Sequence, residues 1–209
     1  MINLYGLILT ISLAIGTIWS YKRLLRVGFS SNDLENIILL AAPATLIGAR
    51  VHHVLTDWHI YSNDFVKVVY VWNGGLGIWG GLACGFGVVF LYTKWKGISF
   101  LALVGEITVP LFLVFMIGRW ANVFNQELLP YAYFESIASM GIFLISLYLE
   151  RRFEEQYHYR TFFIAIAMYA VIRFGLEFTR FEPRYASFTI NQYVSLSIFI
   201  AVLLGWYLY

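Results

Sequence analysis

Seven long, nearly uncharged apolar runs occupy most of this chain, at residues 2–20, 36–56, 72–93, 99–121, 132–149, 161–179 and 190–209. A hydrocarbon core about 30 Å thick needs about 20 apolar residues for one helical crossing. The runs have that length and are too long for the tilted strands of a barrel, whereas a helix satisfies its backbone polar groups internally. The expected fold is an all-α membrane protein with seven transmembrane helices. Hydrophobic residues are 60% of the 209 and charged residues 12%, about half the charged share of a soluble domain. No length remains for a separate soluble catalytic domain, so any chemistry belongs in the membrane or at its rim. In the first run the basic residues Lys22, Arg23 and Arg26 follow the apolar stretch instead of preceding it. That run therefore reads as a span and not as a cleavable signal. With no internal repeat or low-complexity tract, residues 1–209 read as a single integral membrane domain.

The distribution of basic residues sets an expected orientation. Lys22, Arg23, Arg26, Lys94, Lys96, Arg151, Arg152 and Arg160 fall after the first, third and fifth runs, against Lys67, Arg180 and Arg184 after the second, fourth and sixth. By the positive-inside rule the first set lies in the cytoplasm. The N-terminus is then outside and the C-terminus cytoplasmic. Net charge is +2 with no extended basic tract, so no nucleic-acid partner is expected. The single cysteine, Cys84, excludes an intramolecular disulfide and reads as a small packing residue.

Arg50, Arg119 and Arg173 remain, within or at the ends of spans, with Glu106, Glu127, Glu135 and Glu177 in or beside them. A charge at the bilayer centre costs about 2.5–3.5 kcal/mol even on the lenient scale, so these groups need partners. Two readings compete: ion pairs that staple helices, or a polar site for an anionic substrate. Three arginines and no lysine favour the second, because a guanidinium fork matches phosphate or carboxylate bidentately. Arg173, Glu177 and Arg180 are spaced to share one helix face, which an intrahelical ion ladder also explains. Arg119, Asn122, Asn125 and Glu127 form a dense polar cluster at the end of the fourth run, more than capping requires. Gly77, Gly81 and Gly85 suit close helix packing or, alternatively, backbone amides lining an anion site. His52 and His53 read as polar tips at the interface or as a base. Their adjacency makes no metal site, and none is expected.

The polar cluster, Gly118-Arg119-x-Ala121-Asn122-x-x-Asn125-x-Glu127, resembles the signature of bacterial prolipoprotein diacylglyceryl transferases. The resemblance runs along nearly the whole chain, in order. Tyr5-Gly6 is similar to the family's opening Tyr-Gly, Gly48-Ala49-Arg50 to its Gly-(Gly/Ala)-Arg, and Trp72-Asn73-Gly74-Gly75 with Gly80-Gly81-Leu82 to its glycine-rich stretch. Tyr169-x-x-x-Arg173-x-x-x-Glu177-Phe178-x-Arg180 is similar to its sixth-helix pattern, and Tyr131 to Glu135 to the start of its fifth helix.

The resemblance implies transfer of the diacylglyceryl group of phosphatidylglycerol to the lipobox cysteine of a prolipoprotein signal peptide. It implies a multi-pass protein of the bacterial cytoplasmic membrane, in contact with membrane lipid and needing no cofactor. The implied catalytic residues are Arg119, Arg173, Glu127 and Tyr5; the implied phospholipid ligands are Arg119, Asn122, Asn125, Arg173, Arg50 and Glu177. Three departures stand out. Trp79 replaces the family's histidine before Gly80-Gly81, and Val123 and Leu128 depart from the signature. The outer head segment between the fourth and fifth helices is nearly absent, since Glu127 runs almost directly into Tyr131. A phospholipid-dependent transferase with another acceptor, or a phospholipid-binding or transport protein without chemistry, are the alternative readings.

Overall fold

The computed structural model describes residues 4–62, 64–126, 129–154, 157–180, 184 and 186–208, with Asn73 described by its backbone alone. Eight α-helices follow in order among these residues: α1 (Leu4–Arg26), α2 (Ser31–Thr56), a short α3 (Trp58–Tyr61), α4 (Ile78–Lys96), α5 (Phe100–Phe124), α6 (Tyr131–Glu150), α7 (His158–Leu176) and α8 (Ile190–Leu208). Short 3-10 turns cover Phe65–Val69, Val71–Asn73 and Glu177–Thr179. No β-strand occurs among the described residues. By length and composition α1, α2, α5, α6, α8 and the segment His158–Thr179 are able to cross a membrane. Many of their apolar side chains are exposed, from Leu39 on α2 to Leu203 on α8, while Glu106, Glu135, Glu177, Gln192 and five serines are buried. Apolar side chains left exposed on long helices, with polar and charged ones buried, are the pattern a lipid solvent selects. The chain is a multi-pass membrane protein.

The start of the third expected run, residues 72–93, is shifted: α4 begins only at Ile78, and it is not among the six helices that meet that length and composition. Gly74 and Gly75 adopt φ of +83° and +73°, a left-handed backbone that glycine accepts and a helix does not continue through. In the other direction, α1 runs six residues past its expected end. Arg23, counted as a loop charge, is instead a half-buried helix residue, 2.7 Å from Glu150 and 2.9 Å from Glu106. His158 Nδ1 lies 2.6 Å from Glu106 Oε1, so one four-residue ionic cluster ties α1, α5, α6 and α7 together.

The chain divides into two compact units, Gly28–Phe100 and a second made of Met1–Val27 with Leu101–Tyr209. In the first, α2 and α4 approach through small residues. A Cβ on Gly48 would strike the Gly80 carbonyl oxygen and Cys84, and one on Gly85 would strike the Thr45 hydroxyl. The backbone N–H of Gly77 donates to the Ala49 carbonyl at 2.8 Å. This glycine stripe therefore makes close packing, and Cys84 is part of that contact.

In the second unit α5 is the most buried helix. Gly16 of α1 meets Pro110 and Val114, Gly118 faces Leu9 and Ser12, and Gly105 meets the backbone of His158 and Tyr159. Helix α1 thus runs antiparallel to α5. Phe112, Ile142 and Ala165 form a core between α5, α6 and α7, with Phe115, Tyr169 and Ile172 packed on it. At the start of α8, Thr189 and Gln192 cap one another, each side chain accepting from the other's backbone N–H at 3.2 and 3.0 Å. This is a capping box.

Candidate functional site

The end of α5, the start of α6, the end of α7 and the start of α8 meet at one end of the second unit. Helical spacing puts Arg119 and Asn122 one turn apart on α5. The Ser136 hydroxyl donates to the Met116 carbonyl at 2.9 Å, which fixes the first turns of α6 against α5 and brings Glu135 level with Arg119. Arg119 faces this carboxylate with two nitrogens: Nε is 2.7 Å from Oε2 and Nη2 donates to Oε1 at 2.8 Å. From α7, Arg173 Nη1 donates to the same Oε1 at 3.1 Å and to the Tyr131 hydroxyl. The Tyr169 hydroxyl, one turn before Arg173, donates to Glu135 Oε1 at 2.6 Å. Glu135 is 2% exposed, against 27% and 16% for the Arg119 and Arg173 side chains.

Two guanidiniums therefore share one buried carboxylate, leaving that trio with a net charge of +1. Two of the five N–H groups of each arginine are engaged in these contacts. The other three on each point to no hydrogen-bond partner among the described residues, and a guanidinium has no other use for them than an acceptor. In chemical terms such an arrangement is able to receive an anion, with charge in excess beside a buried carboxylate and partly shielded from water.

Arg50 is placed differently, in the first unit. Its Nε donates to the Val68 carbonyl, Nη1 to Gly74 and Gly75, and Nη2 to Lys67 and Tyr70. All five donors are occupied by one backbone loop, and the guanidinium also lies 5.1 Å from the Tyr61 ring centre. A single arginine thus closes the segment between α3 and α4, and in this arrangement no N–H of Arg50 is left for a phosphate oxygen.

Of the other expected site residues, Glu177 is 1% exposed, accepts from Asn191 Nδ2 at 2.9 Å and lies 3.7 Å from Arg180. Helix α7 ends at Leu176 and tightens into a 3-10 turn over Glu177–Thr179, with extended backbone at Arg180. The face shared by Arg173, Glu177 and Arg180 in a continuous helix is accordingly broken: Arg173 turns to Glu135 and Glu177 serves Arg180. Asn122 is half-buried on α5 and Asn125 is exposed just past its end, where Gln126 takes φ of +57°. Tyr5 is half-buried in the first turn of α1, at the same end of α5 as Arg119, since Leu9 and Ser12 flank Gly118. Glu127 lies outside the described residues.

Glu135, Tyr131 and Tyr169 belong to the site although spacing along the sequence did not single them out as ligands. The available signals were a carboxylate in the second turn of an apolar helix and a tyrosine four residues before Arg173. In the first unit, Trp79 stands half-buried in the first turn of α4. The imidazole of His52 fills the space over Gly77, with its Nδ1 buried and without a partner among the described residues. His53 Nδ1 lies 3.0 Å from the Tyr61 hydroxyl.

A family model described as prolipoprotein diacylglyceryl transferase matches residues 1–208. The chain is similar to the phosphatidylglycerol--prolipoprotein diacylglyceryl transferase of Clostridioides difficile (strain 630), 30% identical over 191 residues that cover 83% of this chain and 76% of that protein. It is also 30% identical over 213 residues to enzyme 1 of that name from Streptomyces coelicolor, covering 88% of this chain and 62% of the relative. The protein of the same name from Finegoldia magna is 26% identical over 216 residues, 94% of this chain and 87% of its own length. Ordered motifs, an all-helical apolar fold and these likenesses lead to one conclusion: the chain belongs to the prolipoprotein diacylglyceryl transferase family.

Proposed function

We propose that this protein transfers the diacylglyceryl group of phosphatidylglycerol to the lipobox cysteine of a prolipoprotein. The observation that carries the reading is the pair of arginines, Arg119 and Arg173, sharing the single carboxylate of Glu135 with donors to spare. In this reaction the cysteine sulfur attacks the lipid methylene carbon. The S–C bond forms, the C–O bond to phosphate breaks, and the electron pair leaves on the phosphate oxygen as glycerol phosphate. The thiol proton passes to a base. Because the phosphodiester carries one negative charge and its product approaches two, charge grows on the phosphate as the bond breaks. Guanidinium donors already fixed at that place stabilise the transition state more than the bound lipid.

In this reading Arg119 and Arg173 hold the phosphate, and Asn122 and Asn125 orient it. Glu177 acts through Arg180, and Glu127 or Tyr5 supports the handling of the proton. The acyl chains lie among the apolar helix faces. Arg50 shapes the loop between α3 and α4. The orientation follows the positive-inside count: seven crossings of the bacterial cytoplasmic membrane, α4 included, with the N-terminus outside and the C-terminus in the cytoplasm.

The test is direct. Purified protein incubated with phosphatidylglycerol and a lipobox peptide yields a thioether-linked diacylglyceryl peptide and free glycerol phosphate, and Arg119→Ala abolishes both. Equal product from Arg119→Ala refutes the assigned clamp. Glycerol phosphate release without peptide modification assigns the lipid site to a different acceptor.

A further inference from the structure

Tyr131, the first residue of α6, is buried yet has two cations against it. The guanidinium carbon of Arg173 lies 5.1 Å from its ring centre and that of Arg180 lies 5.2 Å from the same centre. Its hydroxyl accepts from Arg173 Nη1. Two guanidiniums brought this close repel one another, and an aromatic face is a surface on which both can rest, because its quadrupole attracts cations without neutralising them. A carboxylate in the same position would hold the arginines equally well but would cancel the charge that the site needs. Arg173 reaches the ring from the end of α7, whereas Arg180 reaches it from beyond the 3-10 turn. The ring is thus the element that ties the second arginine to the first.

We propose that Tyr131 is a positioning residue for the lipid phosphate: its ring gathers Arg173 and Arg180 into one cationic group, and its hydroxyl sets the rotation of Arg173. The proposal rests on the phosphate-binding reading of this site and adds to its two guanidiniums that of Arg180, which has the buried Glu177 3.7 Å away. It assigns the ring, more than the hydroxyl, to substrate affinity.

The experiment uses full-length protein in vesicles of phosphatidylglycerol diluted in a neutral lipid, with thioether formation on a lipobox peptide as readout. Tyr131→Phe keeps the ring, and its KM for phosphatidylglycerol stays within about threefold of wild type. Tyr131→Leu removes the ring and raises KM about tenfold, the loss of both cation–π contacts at the modest end of their range. Because the leucine variant can fail by misfolding, a series of mono-, di- and trifluorinated phenylalanines at position 131 is the deciding arm. Fluorination withdraws the ring's negative face at nearly constant shape, so KM rises stepwise along the series if the ring holds cations. A flat series overturns the proposal, as does a Tyr131→Phe variant as impaired as Tyr131→Leu. Arg119→Gln is run in parallel: if it retains wild-type activity, the phosphate-site reading itself fails. If it is inactive while the fluorinated series is flat, only the role of Tyr131 falls.

Discussion

Replacing Glu135 by glutamine separates two accounts of the site that agree on everything else. If Glu135 is only a counter-ion, its removal raises the local charge from +1 to +2 and phosphatidylglycerol binds more tightly. If Glu135 is the anchor that fixes where the guanidiniums stand, the variant keeps its attraction for phosphate but loses the ordered donors. The contacts favour the second account. Glu135 receives Arg119 at 2.7 and 2.8 Å, Arg173 at 3.1 Å and Tyr169 at 2.6 Å, so one carboxylate sets three side chains on two neighbouring helices. Glutamine preserves the shape but offers one acceptor oxygen and turns an N–H₂ toward a guanidinium.

The ground-state phosphodiester can still draw mobile arginines to itself, so KM for phosphatidylglycerol remains within about threefold. The transition state requires them in place, and losing one preorganised donor typically costs about 10²–10³ in rate. We expect kcat to fall about 100-fold, about 2.7 kcal/mol. Glu135→Asp, which withdraws the carboxylate by one methylene, falls between wild type and Glu135→Gln. Initial rates of thioether formation against the phosphatidylglycerol fraction of the vesicle give both constants, and thermal unfolding in detergent checks the fold. A Glu135→Gln protein with wild-type kcat, or with a lowered KM as its only change, refutes the anchoring argument.

Two further outcomes follow from arginines outside the site. Arg50→Gln strips the segment 65–77 of five hydrogen bonds to its carbonyls, and net bonds to a charged group contribute about 1.5–3 kcal/mol each before partial replacement by water. Hydrogen exchange in that segment accelerates at least tenfold while exchange in α6 and α7 is unchanged; uniform exchange across the two proteins would show that the loop holds itself. Arg23→Ala leaves Glu106 and Glu150 facing each other without their shared cation, and breaking a buried pair in this way costs about 3–5 kcal/mol. The variant unfolds at a clearly lower temperature in detergent, and adding Glu150→Gln recovers part of the loss. No recovery in the double variant would mean that the two carboxylates do not interact through Arg23.

The helical, membrane-spanning character of this chain was legible from its residues, and so was its family, through the block from Gly118 to Glu127 and the pattern around Arg173. Apolar length and the cost of an intramembrane charge are local quantities, and a single sequence displays them. Even the boundary errors have local causes, the positive φ of Gly74 and Gly75 and the partners that let α1 continue through Arg23. Which charge answers which was another matter. Along the sequence Arg50, Arg119 and Arg173 are three equivalent misfits. Tertiary structure separates them: Arg50 has every donor taken by a neighbouring loop, and Arg119 and Arg173 are held by Glu135 with donors that find no further partner among the described residues. Spacing says which side chains share a face of one helix. It does not say what stands across from that face, and in a low-dielectric interior the partner across the gap decides whether a guanidinium is a structural tie or a receptor for an anion.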